Sequence, residues 1–334
     1  MKIEEVTALD SSIIDSMNQS RRELLDRQLR KQLQPQLDRV AGLMDRSVNY
    51  GTHLIIKCDR AAQQRNVLAA VMLGLHAVEA LDSVGVLVRN CCIDPAKALL
   101  RSLMEAMFGI KYMAQGDSER KSIQYVVAHA HARIDWYKKL DPTTETGKQL
   151  RAQIDKDATF RGLGIVVLDT TAQIDNLERM LARDEYLVVE AEWQRMRGQS
   201  GGRIWWYSLF DGPKRVDELA AAVGDNAWYE VLYRFYSGEI HATNAIESLH
   251  ASRDMGGSYQ PLRYPTDLPT VARLALSMAL RTYRSLIEML VPDERLRYAD
   301  WFAKEIKEDF EGLDAFKIID PSRPSKTLTK RRTV

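Results

Sequence analysis

The sequence predicts an all-α fold, a helical bundle preceded by an amphipathic helical arm. Three observations predict it. Apolar residues recur every three or four positions along most of the chain. Asp, Ser, Thr, Pro and Gly punctuate those runs where helix caps and stops belong. Strand-like character is confined to the short stretch LGIVVLD that starts at Leu163. The 334 residues, 45% hydrophobic and 28% charged, have the composition of an ordinary globular protein.

Residues 1–50 read as the arm. Ile13, Met17, Leu24, Leu29, Leu37, Val40 and Met44 lie at heptad-like spacing in a polar context. They suggest one or two exposed amphipathic helices, broken near Pro35 because proline lacks the N–H that a helix interior needs. Such an arm must cover its apolar stripe with its own core or with a second subunit. Residues 51–311 read as one all-α core domain. It opens with an apolar helix from Ala61 to about Val88, whose run VLAAVMLGL is interrupted by His76, Glu79 and Asp82 and reads as too short to span a bilayer. Next comes a helix with Asp94 as N-cap, Pro95 in its first turn and Gly116 as its stop. A helix capped by Asp117 or Ser118 ends before Pro142, and a charged one spans Thr144 to Lys156. One long helix runs from about Thr170 to Arg197, and a Gly-rich aromatic loop leads to a short helix closed by Gly224. Tyr233 to Ser248 is helical, a Pro-rich loop follows, and helices over Pro269–Leu290 and Asp293–Phe310 complete the domain. Residues 312–334 lack periodicity and read as a mobile basic tail.

Charge is uneven. The net charge is +1, but residues 317–334 hold six basic residues against one acidic, which leaves 41 basic against 45 acidic elsewhere. That body has no general attraction for phosphate backbones, so any nucleic-acid contact is local. Three cysteines, with Cys91 and Cys92 adjacent, exclude a disulfide framework. The N-terminus lacks the apolar core of a signal peptide. These features point to a cytoplasmic protein with no membrane contact.

The chemistry concentrates in YRFYSGEIHATNAIES. Arg234, Ser237, His241, Asn244 and Ser248 share one face of a helix, in an aromatic context. Arg234 and His241 are about two turns apart and can converge on one phosphate. The guanidinium would fix the charge, the imidazole would carry a proton, Ser237 would donate a hydroxyl and Asn244 would orient the ring. That set suffices for RNA cleavage without a metal or cofactor. The alternative is a buried hydrogen-bond network joining helices. A second stripe holds Lys97, Arg101 and Glu105 at four-residue spacing on a mostly apolar helix. It forms either a structural ion pair or the wall of a site shared with the polar stripe of the His241 helix. His129 and His131 lie on opposite sides of a helix and cannot chelate one ion, so no metal site is expected. Tyr125, His129 and Trp136 share a face that reads as core. Trp205, Trp206, Tyr207 and Phe210 either plug a core edge or stack a base.

RSLMEAMFGIKYM and WYEVLYRFYSGEIHATN resemble an uncharacterised bacterial all-α family known as a domain of unknown function. Its members share an Arg-x-x-x-Glu helix and a later Tyr-x-x-x-Ser-x-x-x-His helix, matched by Arg101 and Glu105, then Tyr233, Ser237 and His241. WWYSLFDGPKRVDELAAAVG is similar to that family's lead-in to the second helix, and the resemblance spans about residues 60–250. More distantly, Arg234 and His241 resemble the Arg-x(4–6)-His signature of HEPN proteins. These are helical, usually dimeric and often metal-independent ribonucleases of toxin–antitoxin and antiphage systems. Phe235 departs from the polar residue that usually follows the arginine. The resemblance implies an endoribonuclease acting on RNA as a homodimer in stress or antiphage defence. Other HEPN-like proteins are non-catalytic, which implies instead a scaffold that recruits a protein partner through the arm or the basic tail.

Overall fold

The computed structural model describes residues 27–162, 169–199, 204–240, 249–252, 256–259 and 262–313. The chain is all-α. The only strands among the described residues are β1 (Leu249–Ser252) and β2 (Gly256–Tyr259), an antiparallel pair with Leu249 opposite Tyr259. In chain order the helices begin with α1 (Arg27–Ala62), α2 (Leu68–Arg89), α3 (Ile93–Met113) and α4 (Ser118–Leu140). They continue with α5 (Glu145–Lys156), α6 (Ala158–Gly162), α7 (Thr171–Leu181), α8 (Leu187–Gln199), α9 (Val216–Ala222) and α10 (Arg234–Ile240). The last are α11 (Leu268–Leu290), α12 (Arg295–Trp301) and α13 (Lys307–Gly312). Two π-helical segments, Trp228–Tyr233 and Phe302–Ile306, run directly into α10 and α13. The stretch at Leu163 and the tail lie outside the described residues, except that α13 ends at Gly312.

Several caps follow the sequence. Asp117 accepts from the Arg120 amide at the start of α4, and Thr144 accepts from the Gly147 amide at the start of α5. Gly116 and Gly224 take the left-handed conformation that ends a helix, at φ +69° and +74°. Asp94 departs from its expected role. The helix already begins at Ile93, so Asp94 sits inside the first turn, where Lys97 takes its carboxylate at 2.8 Å.

The described residues divide into two compact units. One takes in the described residues up to Ile56, Gly74–Met107 and those described from Ala227 onward. In it, α1 is a single helix straight through Pro35, a correction to the expected break. An interior proline costs about 3 kcal/mol. The Pro35 ring is exposed, while Leu33, Leu37, Val40, Leu43 and Met44 are buried, and each such side chain contributes roughly 1.5–3 kcal/mol. Burial wins. The stripe expected on an exposed arm therefore lies, for these residues, in the unit's own core. The Tyr283 hydroxyl of α11 donates to the Ser47 carbonyl at 3.1 Å, and a Cβ at Gly51 would overlap that tyrosine and Val78.

Lys57–Leu73 and Phe108–Asn226 form the other unit. Val127, Ala130 and Ile134 of α4 pack with Leu181, Val189, Trp193 and Leu209. Where one helix was expected from Thr170 to Arg197, α7 and α8 are separated by a turn. On one continuous helix the Ile174–Leu181 face and the Val189–Met196 face would point about 120° apart. The turn lets both reach the same core. Tyr125, His129 and Trp136 are likewise not a core face: His129 is exposed and Trp136 is 52% exposed. They lie about 180° around α4 from Val127, and the aliphatic side takes the interior. His131 is buried there, Nε2 2.7 Å from Glu190 Oε2, with its ring stacked on Trp193. The aromatic loop plugs a core edge. Tyr207 and Leu209 are buried, and Trp206 meets Tyr112 and Tyr125 edge-on.

By length and composition, α2 is apolar enough to cross a bilayer, which corrects the reading that its apolar run is too short. Ala77, Val78, Leu81, Val84 and Val88 along it are buried. Cys91, at φ +57°, is buried at the turn into α3, and burial raises its thiol pKa to about 11.

Candidate functional site

The site is built on α3. Lys97, Arg101 and Glu105 follow one another at four-residue spacing, so they form a file along one face. Lys97 comes first, its side chain only 10% exposed, and its ammonium bridges Asp94 and, at 2.6 Å, Asp267 at the entrance to α11. Burial works against that charge, but the two carboxylates outweigh it and hold the ammonium well above the ordinary lysine range.

One turn on, Arg101 Nε donates to Glu105 Oε1 at 3.0 Å. The buried Tyr233 hydroxyl donates to the same oxygen at 2.7 Å, and the Arg101 guanidinium lies 4.7 Å over the Tyr233 ring. The three side chains form a closed set: a carboxylate accepting two bonds and a cation on an aromatic face. Burial, then the bond to Glu105, push the Tyr233 hydroxyl far above the usual tyrosine range. Tyr233 therefore stays protonated and acts as a donor. Burial disfavours the charge on Arg101, but Glu105 and Tyr233 together raise its pKa. Glu105 is the open edge of the set, with 48% of its side chain exposed against 24% for Arg101.

Tyr233 is the last residue of the π-helical segment, and Tyr229 stacks on it at 5.0 Å. π-Helical turns recur at functional sites because the extra residue re-aims side chains. The structure thus brings Arg101 and Glu105 together with Tyr233, which lies outside both polar stripes, rather than with Arg234 of the expected stripe, which it leaves apart from them. Arg234 lies about 100° around the helix from Tyr233. Its side chain is 65% exposed and pairs with Glu230 at 3.0 Å. Ser237 Oγ donates to the Tyr233 carbonyl at 2.6 Å, so its proton is committed to the backbone. His241, Asn244 and Ser248 lie outside the described residues.

Two contacts were not foreseen from sequence. His76 Nε2 of α2 lies 2.7 Å from Ser102 Oγ, next to Arg101. Trp228, which opens the π-helical segment, lies under the Arg281 guanidinium at 4.9 Å. His76 and Ser102 are 26 residues apart, with no local pattern to pair them. Among the described residues, no three His, Cys, Asp or Glu side chains are grouped as metal ligands would be.

The profile of a family described as "Family of unknown function (DUF5677)" matches residues 68–258, more than half of the chain. The match includes Arg101, Glu105, Tyr233, Ser237 and His241. No curated protein and no solved structure matches the chain.

Proposed function

The chain belongs to DUF5677, a family of unknown function, and from that premise we propose that it is a HEPN-like, metal-independent endoribonuclease of bacterial stress or antiphage defence. The observation that carries this reading is the placement of Arg234. It follows directly on a tyrosine fixed by Glu105 and Arg101, yet its own guanidinium points to solvent and, among the described residues, its ion pair is with Glu230. Exposed pairs of that kind are worth about 0–1 kcal/mol, so a phosphate can take the guanidinium at little cost. His241, seven residues on, is the proton carrier in this reading. It removes the proton of a ribose 2′-hydroxyl, that oxygen attacks phosphorus as the bond to the 5′-oxygen breaks, and the resulting imidazolium returns the proton to the leaving 5′-oxygen. Arg234 stabilises the charge that builds up on the phosphoryl oxygens, with Asn244 as a supporting group, and Ser237 fixes the helix backbone through its bond to the Tyr233 carbonyl. The reaction needs no cofactor. RNA is the substrate, and the protein acts as a cytoplasmic homodimer. Expression in bacteria tests the reading: wild-type protein should arrest growth and His241→Ala should relieve the arrest at equal soluble yield. Equal growth with both proteins would count against it.

A second reading is supported by Val231 and Phe235, which are 65% and 51% exposed on consecutive turns beside Arg234. An apolar pair next to an exposed cation suits a binding surface as well as an active site. On this reading the protein is a non-enzymatic scaffold, with the N-terminal arm or the basic tail recruiting a protein partner.

A further inference from the structure

The geometry points to a second site: we propose that the cleft between α11 and the α12–α13 segment binds a nucleoside phosphate. The cleft has a volume of about 570 Å³, within the range of about 300–1,000 Å³ common for small-molecule sites. Arg281 and Arg284 line it from α11 and Arg295 from the start of α12, with Glu288 as the single acidic lining residue among the described residues. Three cations against one anion leave the lining at +2, in a chain that is acidic outside its last eighteen residues. Glu288 is already paired with Arg284 Nε at 2.8 Å. Arg295 makes no ion pair among the described residues.

The facing wall is aromatic. Tyr298, Phe302 and Phe310 line it, and two of the three are held in place. The Tyr298 hydroxyl donates to the Leu280 carbonyl at 3.0 Å. Arg273 lies 4.8 Å over the Phe310 ring and donates to its carbonyl at 2.8 Å. Phe302 opens the π-helical segment Phe302–Ile306, the kind of helix irregularity that recurs at ligand sites.

This lining selects the ligand. A purely apolar molecule would strip water from guanidiniums and give them no counter-charge. A bare anion would leave the aromatic wall unused. A phosphate fits the arginines, which bind it bidentately, and a base fits the rings, on which it stacks. Arg281 also lies over Trp228, so a ligand that draws it into the cleft competes with that contact. The ligand would thereby act on the segment that carries Tyr233.

Titration calorimetry on the full chain tests the proposal, with AMP, GMP, adenosine and inorganic phosphate as separate probes. At least one nucleotide should bind about tenfold or more tightly than adenosine and phosphate, because only it fills both walls. Arg284→Ala with Arg295→Ala should weaken that binding about tenfold or more, each arginine–phosphate contact being charge-assisted. Arg295→Gln alone should weaken it measurably, and it serves if the double variant does not fold. His241→Ala and Arg234→Ala should bind the nucleotide like wild type, which separates this site from the proposed nuclease site. The proposal is overturned if neither nucleotide binds, if the arginine variants bind equally well, or if phosphate or adenosine alone binds as tightly.

Discussion

Lys97 and Arg234 are both cations on helices, each in an ion pair, and their surroundings make them different objects. Lys97 is almost wholly buried and bonds to two carboxylates from separate elements. Arg234 stands in solvent and holds one carboxylate of its own helix. Removing the first strands charge, whereas removing the second strands nothing. The lesson is that a polar stripe read from sequence mixes residues that hold the fold with residues that are free to act. Arg101, Glu105 and Tyr233 stand between the two extremes.

Lys97→Met should therefore show the largest loss of stability, about 2–3 kcal/mol. That lies below the full cost of breaking a buried pair because Asp94 and Asp267 are half exposed. A urea midpoint unchanged from wild type would place Lys97 outside the framework. Glu105→Ala removes the acceptor of both Arg101 and the buried Tyr233 hydroxyl. It should cost about 1–2 kcal/mol, less than a fully buried pair because Glu105 is open to water. Glu105→Gln keeps an acceptor for Tyr233 and should recover part of that loss. Equal losses in the two variants would mean that charge alone matters there. Arg234→Ala should change stability by less than about 0.5 kcal/mol. A larger loss would remove Arg234 from the class of residues free to act.

Asp309 supplies a pH test of the same idea. Burial pushes its carboxyl pKa up, but hydrogen bonds from Arg39 and Arg46 outweigh this and the net direction is down. A depressed carboxylate adds stability that is fully present above its unfolded pKa, ordinarily 3.8. That stability is lost as the pH falls through the lower folded value. The difference in stability between wild type and Asp309→Asn should thus be level from neutral pH to about pH 4 and shrink below it. A difference that grows in acid would reverse the sign.

Local rules carried much of the fold. Asp117, Thr144, Gly116 and Gly224 mark helix ends because capping depends on residues within one turn. Pro35 and the α7–α8 turn misled, because tertiary burial decides in both places and no local signal reports it. The face of Tyr125, His129 and Trp136 failed for a related reason: two stripes of α4 competed, and the aliphatic one took the core. At the site, the four-residue spacing of Arg101 and Glu105 made their pairing legible, but their contact with Tyr233 was not, because the polar stripe beside it drew the expectation. The π-helical turn that sets Tyr233 apart from Arg234 was not legible, because a π turn has no composition of its own. His76 against Ser102 needed the packing of α2 on α3.

Arg234 and His241 are proposed to cleave RNA without a metal. The most direct test is the product of varied RNAs incubated with wild-type, Arg234→Ala and His241→Ala proteins in EDTA, with circular dichroism to establish that each variant is folded. Wild type should yield fragments ending in a 2′,3′-cyclic phosphate, and neither folded variant should yield any. RNA left intact by the wild type, or cleavage that persists in His241→Ala, would contradict the proposal.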